Sequence, residues 1–309
     1  MTSLRVATSL QFDRLRDRMG TLSAKADLLN TQMSTTKRIQ APSDDAAGYR
    51  SLTALKRAGA DSNAELENID LATSLLEASS TALGTIETQL GRVREIAINA
   101  GTGTVSTEQK KALAAELDVI MDDLLRVANS SDSRGNPLFA GDSTAAPYTV
   151  TPAGKRPSEG VVSFTGKGEA GEVPIGDGRT IAATTSGEKV FGKLKKADGT
   201  ESDMFAIVKE LSDALKADTS IGNASADAQT ALTSVTNART SIGARGARLE
   251  LEQARLQDFA LTREAARSAI EDTDVTATIT ELQKTLTVLQ ATQASFSKLT
   301  SLNLFDYLR

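Results

Sequence analysis

Residues 69–100 read IDLATSLLEASSTALGTIETQLGRVREIAINA. Ile69, Leu76, Leu83, Leu90 and Ala97 recur at every seventh position, and Ala72, Ser79, Ile86, Val93 and Ala100 follow each of them by three. That spacing puts both sets on one seam of a helix, the pattern of a coiled coil. Traced back toward Asp45, it predicts a single helix over about residues 45–100, roughly 84 Å long at 1.5 Å per residue. A helix of that length draws its stability from packing, so it needs long partners.

Working outward from that stretch, Gly101-Thr102-Gly103 breaks the helix, and Ser106 with Gln109 three positions on forms a capping box that opens another. Leu113, Leu117, Ile120, Leu124 and Val127 carry its apolar stripe. From about residue 225 a further helix repeats Val235, Ile242, Leu249 and Leu256 and supplies a third long stripe to the same bundle. The inner stripes from Ile69 to Val127 read as an intramolecular core. Between these arms, residues 135–200 hold five of the six prolines and twelve of the 22 glycines. Helices exclude Pro and disfavour Gly, whereas turns between strands use both, so the middle reads as a β-rich insert. Its strand candidates are Tyr148/Val150, Val161 to Phe164, Ile175, Ile181 and Val190/Phe191. The fold class is mainly α with a β-rich insert, a long coiled-coil-like bundle built from paired N- and C-terminal arms.

The 309 residues contain no Cys, His or Trp, which removes the usual zinc and iron ligands, thiol nucleophiles and the Ser-His-Asp relay. Carboxylate chemistry remains open, so a hydrolase with its site in the insert is the rival from another class. No cofactor is expected. Net charge is −5 overall, yet the first 60 residues hold ten Lys/Arg against five Asp/Glu. Phe12 is the only aromatic among Arg5, Arg14, Arg16 and Arg18, which suits a solvated face better than a nucleic-acid groove. No run approaches the roughly 20 apolar residues that span a bilayer, and residues 1–13 lack a hydrophobic signal core. Membrane insertion is not expected.

The two ends carry stripes of their own, Phe12, Leu15, Met19, Leu22, Ala26, Leu29 and Met33 at one and Val275, Ile279, Leu282, Leu286, Leu289 and Phe296 at the other. Leu4, Val6, Leu10, Leu28 and Ile39 lie off the first stripe, and Leu302, Leu304, Phe305, Tyr307 and Leu308 crowd the last turns. A two-helix hairpin cannot cover this much apolar surface. Leu4, Leu10, Phe12, Leu15, Met19, Leu22, Leu29, Leu282, Leu286, Leu289, Phe296, Leu304, Phe305 and Leu308 are therefore expected to form an assembly interface with other copies of the chain.

Two distant stretches resemble signatures of the bacterial flagellin superfamily. One is Thr36-Lys37-Arg38-Ile39-Gln40-Ala41-Pro42-Ser43-Asp44-Asp45-Ala46-Ala47-Gly48. Its counterpart is Ile242-Gly243-Ala244-Arg245, followed by Arg248-Leu249-Glu250 and Ile270-Glu271-Asp272-Thr273-Asp274. Leu138-Phe139-Ala140-Gly141 and the closing Leu302-Asn303-Leu304-Phe305-Asp306-Tyr307-Leu308 are similar to the hook-associated, junction-forming branch more than to filament flagellins. The resemblance implies an axial protein exported through the flagellar type III apparatus with an export chaperone and placed outside the cell. Its implied role is to join hook to filament, with copies of itself, hook protein, a neighbouring hook-associated protein and the flagellin side of the junction as partners. The alternative is a filament flagellin. It also implies an organisation: residues 1–42 and 268–309 as terminal helices lining an inner tube, 43–136 and 204–267 as a second layer, and 137–203 facing outward.

Several residues have a physical reading beside the family one. Ser43 reads as a helix N-cap followed by Asp44 and Asp45 at the positive end of the dipole. Pro42 stops a helix arriving from upstream, so Arg38, Pro42, Ser43, Asp44 and Asp45 mark a bend. Arg245 sits on an apolar stripe and needs a carboxylate or carbonyl partner, either within the chain or in a neighbouring copy. Gly166-Lys167-Gly168-Glu169-Ala170-Gly171 fits a dinucleotide fingerprint in form, but Pro174 and Gly176 follow at once where that fingerprint needs a helix.

Overall fold

In the computed structural model, which describes Thr2–Tyr307 apart from Ala170 and the side chains of residues 10–298 apart from the same residue, two long helices carry the heptads. They are α2, Ala46–Gly101, and α6, Ala224–Glu271. The other helices are α1 (Thr2–Thr35), α3 (Thr107–Ala128), α4 (Gly187–Phe191), α5 (Met204–Lys216) and α7 (Val275–Tyr307). The strands are β1 (Tyr148–Thr151), β2 (Val161–Phe164), β3 (Glu172–Gly176), β4 (Arg179–Ala182), β5 (Leu194–Lys195) and β6 (Glu201–Ser202). Contacts divide the chain into two compact units, Met1–Asp61 with Asp258–Arg309, and Ser62–Gln257. The division falls inside α2 and α6.

The larger unit is held by one continuous core. Ile69, Leu76, Leu83, Leu90 and Ala97 of α2 are buried in it together with Ala72, Ile86, Val93 and Ala100, and α6 adds Val235, Ile242, Leu249 and Leu256. Both positions of the sequence repeat thus face inward, as periodicity alone required. The exception in chemistry is Ser79, fully buried on the seam with no partner for its hydroxyl. α3 opens on the expected capping box, Ser106 with Gln109. It packs on α5, where the Ser212 hydroxyl donates to Asp118 Oδ1 at 2.7 Å and Lys216 Nζ lies 2.8 Å from Asp118 Oδ2. α5 itself, capped by Asp203, was not singled out in the sequence.

The middle zone consists of three two-stranded antiparallel sheets, β1–β2, β3–β4 and β5–β6. Val190 and Phe191 correct one strand expectation. They lie on the single-turn helix α4, whose Gly187 N–H bonds Phe139 O at 2.8 Å and so delivers both side chains into the core from a turn. Phe139 meets Phe191 edge to face and Tyr148 meets Phe164 at a tilt, each pair with ring centroids 5.3 Å apart. The Asn129 amide exchanges two 2.9 Å hydrogen bonds with the Tyr148 backbone, closing an edge of β1 that would otherwise be open to another strand. Tyr148, Ile175, Ile181 and Phe191 belong to the same core cluster as the α2 and α6 heptads. The insert is thus part of the core that stabilises the helices, and not a bolt-on.

The glycine-rich loop has a structural task. A Cβ at Gly166 would strike the Phe164 ring and the Ala140 carbonyl, and one at Gly141, where φ is +69°, would strike the Lys167 carbonyl. These glycines allow residues 140–142 and 166–168 to exchange backbone hydrogen bonds, Asp142 N–H to Lys167 O at 2.8 Å and Lys167 N–H to Ala140 O at 3.1 Å. The loop leads into β3 rather than a helix.

Candidate functional site at the paired chain ends

The smaller unit is built around α1 and α7, which run antiparallel. Lys25 pairs with Glu281, and nearer the chain ends Phe12 and Phe296 meet edge to face with centroids 5.6 Å apart. Among the described residues their shared apolar core is thin, consisting of Ala26, Leu29 and Leu282 with Met33 packed against it. Phe12, Leu15, Met19, Leu22, Leu289 and Phe296 are half-buried. Leu10 and Leu28 are 51% and 45% exposed, and Ile279 and Leu286 38% and 39%. Leu10 and Leu28 lie off the apolar stripe of α1, while Ile279 and Leu286 are exposed although they lie on that of α7. The side chains of Leu4, Leu304 and Phe305, and all of Leu308, lie outside the described residues.

Beneath the hairpin, the N-terminal signature meets residues 270–274 of the C-terminal one. Residues 36–38 pair antiparallel with 271–273: Arg38 N–H donates to Glu271 O at 2.7 Å and Thr273 N–H to Thr36 O at 3.0 Å. The Arg38 guanidinium donates to Ile270 O at 3.0 Å and approaches Asp45 Oδ2 at 3.7 Å, so one cation serves the C-terminal carbonyls of α6 and the N-cap of α2. Ile39, expected among the unpaired apolar residues, is buried in this joint. Gly48 is what lets it in, since a Cβ there would sit 2.5 Å from Ile39 Cδ1.

The cap of α2 is a correction. Ser43 makes only a 3.5 Å contact to Asp44, and it is Asp45 Oδ1 that accepts Ala47 and Gly48 N–H at 3.1 and 2.9 Å. Pro42 and Ser43 occupy a turn closed by Asp44 N–H to Ala41 O at 3.0 Å, which moves the helix start two residues on. Asp44 turns the other way and accepts Gln40 and Ala41 N–H at 2.9 Å each. Both carboxyls are held below the usual range, Asp44 chiefly by the Ala41 N–H and Asp45 chiefly by the Gly48 N–H. Among the described residues, no group of three or more acids is placed to hold a metal ion.

Arg245 lies in the other unit, and its partners are carbonyls of its own chain. Its Nη1 donates to Ala182 O at 2.6 Å and Thr184 O at 3.0 Å, and its Nη2 donates to Thr185 Oγ1 at 2.7 Å. Burial pushes the guanidinium pKa down. A second clamp, unseen in the sequence, joins α6 to the β3–β4 turn. Buried Glu252 accepts from Arg179 at 2.7 Å and pairs with Arg255, which reaches Asp177 at 2.8 Å. Finding it required knowing that residues 177–179 pack on α6.

No described helix is long and apolar enough to cross a membrane. The bacterial flagellin N-terminal helical region matches residues 8–144 and the C-terminal helical region residues 226–308, together more than two thirds of the chain. Flagellar hook-associated protein 3 of Escherichia coli is 27% identical over 89% of this chain and 90% of that protein. Its Salmonella typhimurium counterpart is 24% identical over 98% and 99%. A flagellin of Listeria monocytogenes is 25% identical over 88% and 86%. The solved flagellar hook associated protein-3 of Legionella pneumophila shares the fold, with a TM-score of 0.65 at 16% identity over 71% of this chain and 98% of that one. Paired terminal helices, the joint formed from two distant signatures and the two matched regions lead to one conclusion: the chain belongs to the bacterial flagellin superfamily.

Proposed function

We propose that this chain is a structural axial component of the bacterial flagellum that joins hook to filament by packing with copies of itself and with neighbouring hook and hook-associated proteins. The observation that carries the assembly reading is the thin core of the α1–α7 hairpin beside its exposed Leu10, Leu28, Ile279 and Leu286. Apolar surface of this kind on a secreted structural protein marks a contact that another molecule completes. The junction role is supported by whole-length similarity to hook-associated protein 3 of two bacteria. In this reading residues 1–42 and 268–309 line the tube, 43–136 and 204–267 form the layer around it, and 137–203 face outward. Export through the flagellar type III apparatus with a chaperone belongs to the same reading. The chain acts as a structural part and not as a catalyst.

Similarity to a flagellin over 88% of the chain keeps the filament subunit as the second reading. Electron microscopy of the purified protein separates the two. A junction protein caps isolated hooks and stops after a short layer, whereas long filaments grown from this protein alone would establish the flagellin reading instead.

A further inference from the structure

Glu271 is the last residue of α6, where the helix dipole disfavours a carboxylate. Its side chain is only 4% exposed, which adds the cost of taking a charge out of water. Within the helix, Arg267 four residues earlier approaches the carboxylate at 3.6 Å. The shorter contact comes from outside it: Lys37 Nζ lies 2.6 Å from the carboxylate, while the Glu271 carbonyl accepts the Arg38 N–H. On the facing strand, Thr36 holds φ at +56°, a conformation that a β-branched residue adopts only when its surroundings keep it there. Its carbonyl takes the Thr273 N–H, the other rung of the same ladder.

We infer that this joint is a charge-locked hinge, in which Glu271 is the positioning residue that sets how firmly the α1–α7 hairpin is held. In the locked state the ladder between 36–38 and 271–273 is formed, Thr36 is strained and the carboxylate is enclosed by two cations. In the released state Glu271 regains water and Thr36 relaxes. α1 ends at Thr35 and α7 begins at Val275, so both helices of the hairpin hang from this ladder. Lys37 is 44% exposed, which leaves the lock open to screening by salt.

Hydrogen exchange of the intact monomer, followed by mass spectrometry, reads the lock at the Arg38 and Thr273 amides. Glu271→Gln should speed their exchange on the order of a hundredfold, because it removes the charge both cations enclose. A residue serving only the helix end would show the opposite sign, since removing an acid from the negative end of the dipole favours the helix. Lys37→Met should accelerate exchange less, with Arg267 still in place, and the double variant should do no more than Glu271→Gln alone. Molar salt should speed exchange in the parent chain and leave Glu271→Gln unchanged. Amides around Leu83 and Leu90 should not move. Unchanged or slower exchange in Glu271→Gln, additive effects of the two substitutions, or equal acceleration around Leu83 would each overturn the hinge. A second arm rests on the assembly reading: Glu271→Gln should raise the concentration needed for assembly several-fold, because a looser hairpin must be ordered at each addition. A parent chain that never assembles would count against that reading alone and leave the exchange result standing.

Discussion

Leu90 and Leu286 are both leucines on the apolar repeat of a long helix, yet one is fully buried and the other is 39% exposed. Leu90 belongs to a core shared by α2, α3, α5, α6 and the insert. Leu286 belongs to a hairpin whose buried apolar cluster, among the described residues, is Ala26, Leu29 and Leu282. Same residue type and same spacing therefore have two outcomes, burial in one unit and exposure in the other. The lesson is that a heptad states that a partner exists and leaves open whether it lies in the same chain.

The largest effect should come from breaking that contrast on the folded side. Leu90→Ala should destabilise the isolated chain by about 2–5 kcal/mol, the range for a buried leucine cavity, read by denaturant unfolding. Gly48→Ala should cost about 1–3 kcal/mol through overpacking against Ile39, with partial recovery on adding Ile39→Val, which deletes the Cδ1 in conflict. Arg245→Ala strands two carbonyls and should cost about 1–3 kcal/mol. Its signature is faster amide exchange at residues 182–185 while the α2 seam stays protected. Unchanged stability and exchange would sink the clamp.

Acid sharpens the contrast within the smaller unit. The Asp44 and Asp45 carboxyls have depressed pKa values in the fold, so their contribution is complete above about pH 4, the ordinary Asp value, and is lost as pH falls through the depressed ones. Exchange at the Gln40, Ala41 and Gly48 amides should rise below that point, and Asp45→Asn should abolish the acid response at Gly48. The smallest effect on the monomer should be Leu286→Ser, within about 1 kcal/mol for an exposed position, while assembly measured by sedimentation should be strongly reduced. A Leu286→Ser chain that assembles like the parent would remove this residue from the interface.

The insert was the least legible region. Pro and Gly marked where helices could not run, and four of the five strand candidates lie on strands. That Val190 and Phe191 ride a helical turn depended on the Gly187 bond to Phe139, 48 residues away in the chain. Sharing of one core between insert and helices was equally hidden, and it makes deletion of residues 142–200 a test of folding before it is a test of function. Ser43 misled for a local reason: a Ser before two acids fits a cap, but Pro42 drew the segment into a turn and passed the cap to Asp45.

By itself the sequence determined the long helices α1, α2, α3, α6 and α7 and the apolar stripe each carries, because these follow from periodicity, capping and the backbone limits of Pro and Gly within a few residues. Only the tertiary structure decided that Lys37 and Glu271, 234 positions apart, form one joint, that Arg245 grips carbonyls of its own insert, and that Ile39 is inside while Leu286 is not. Those outcomes depend on which surfaces the chain brings together, and spacing along a helix carries no information about what lies across from it.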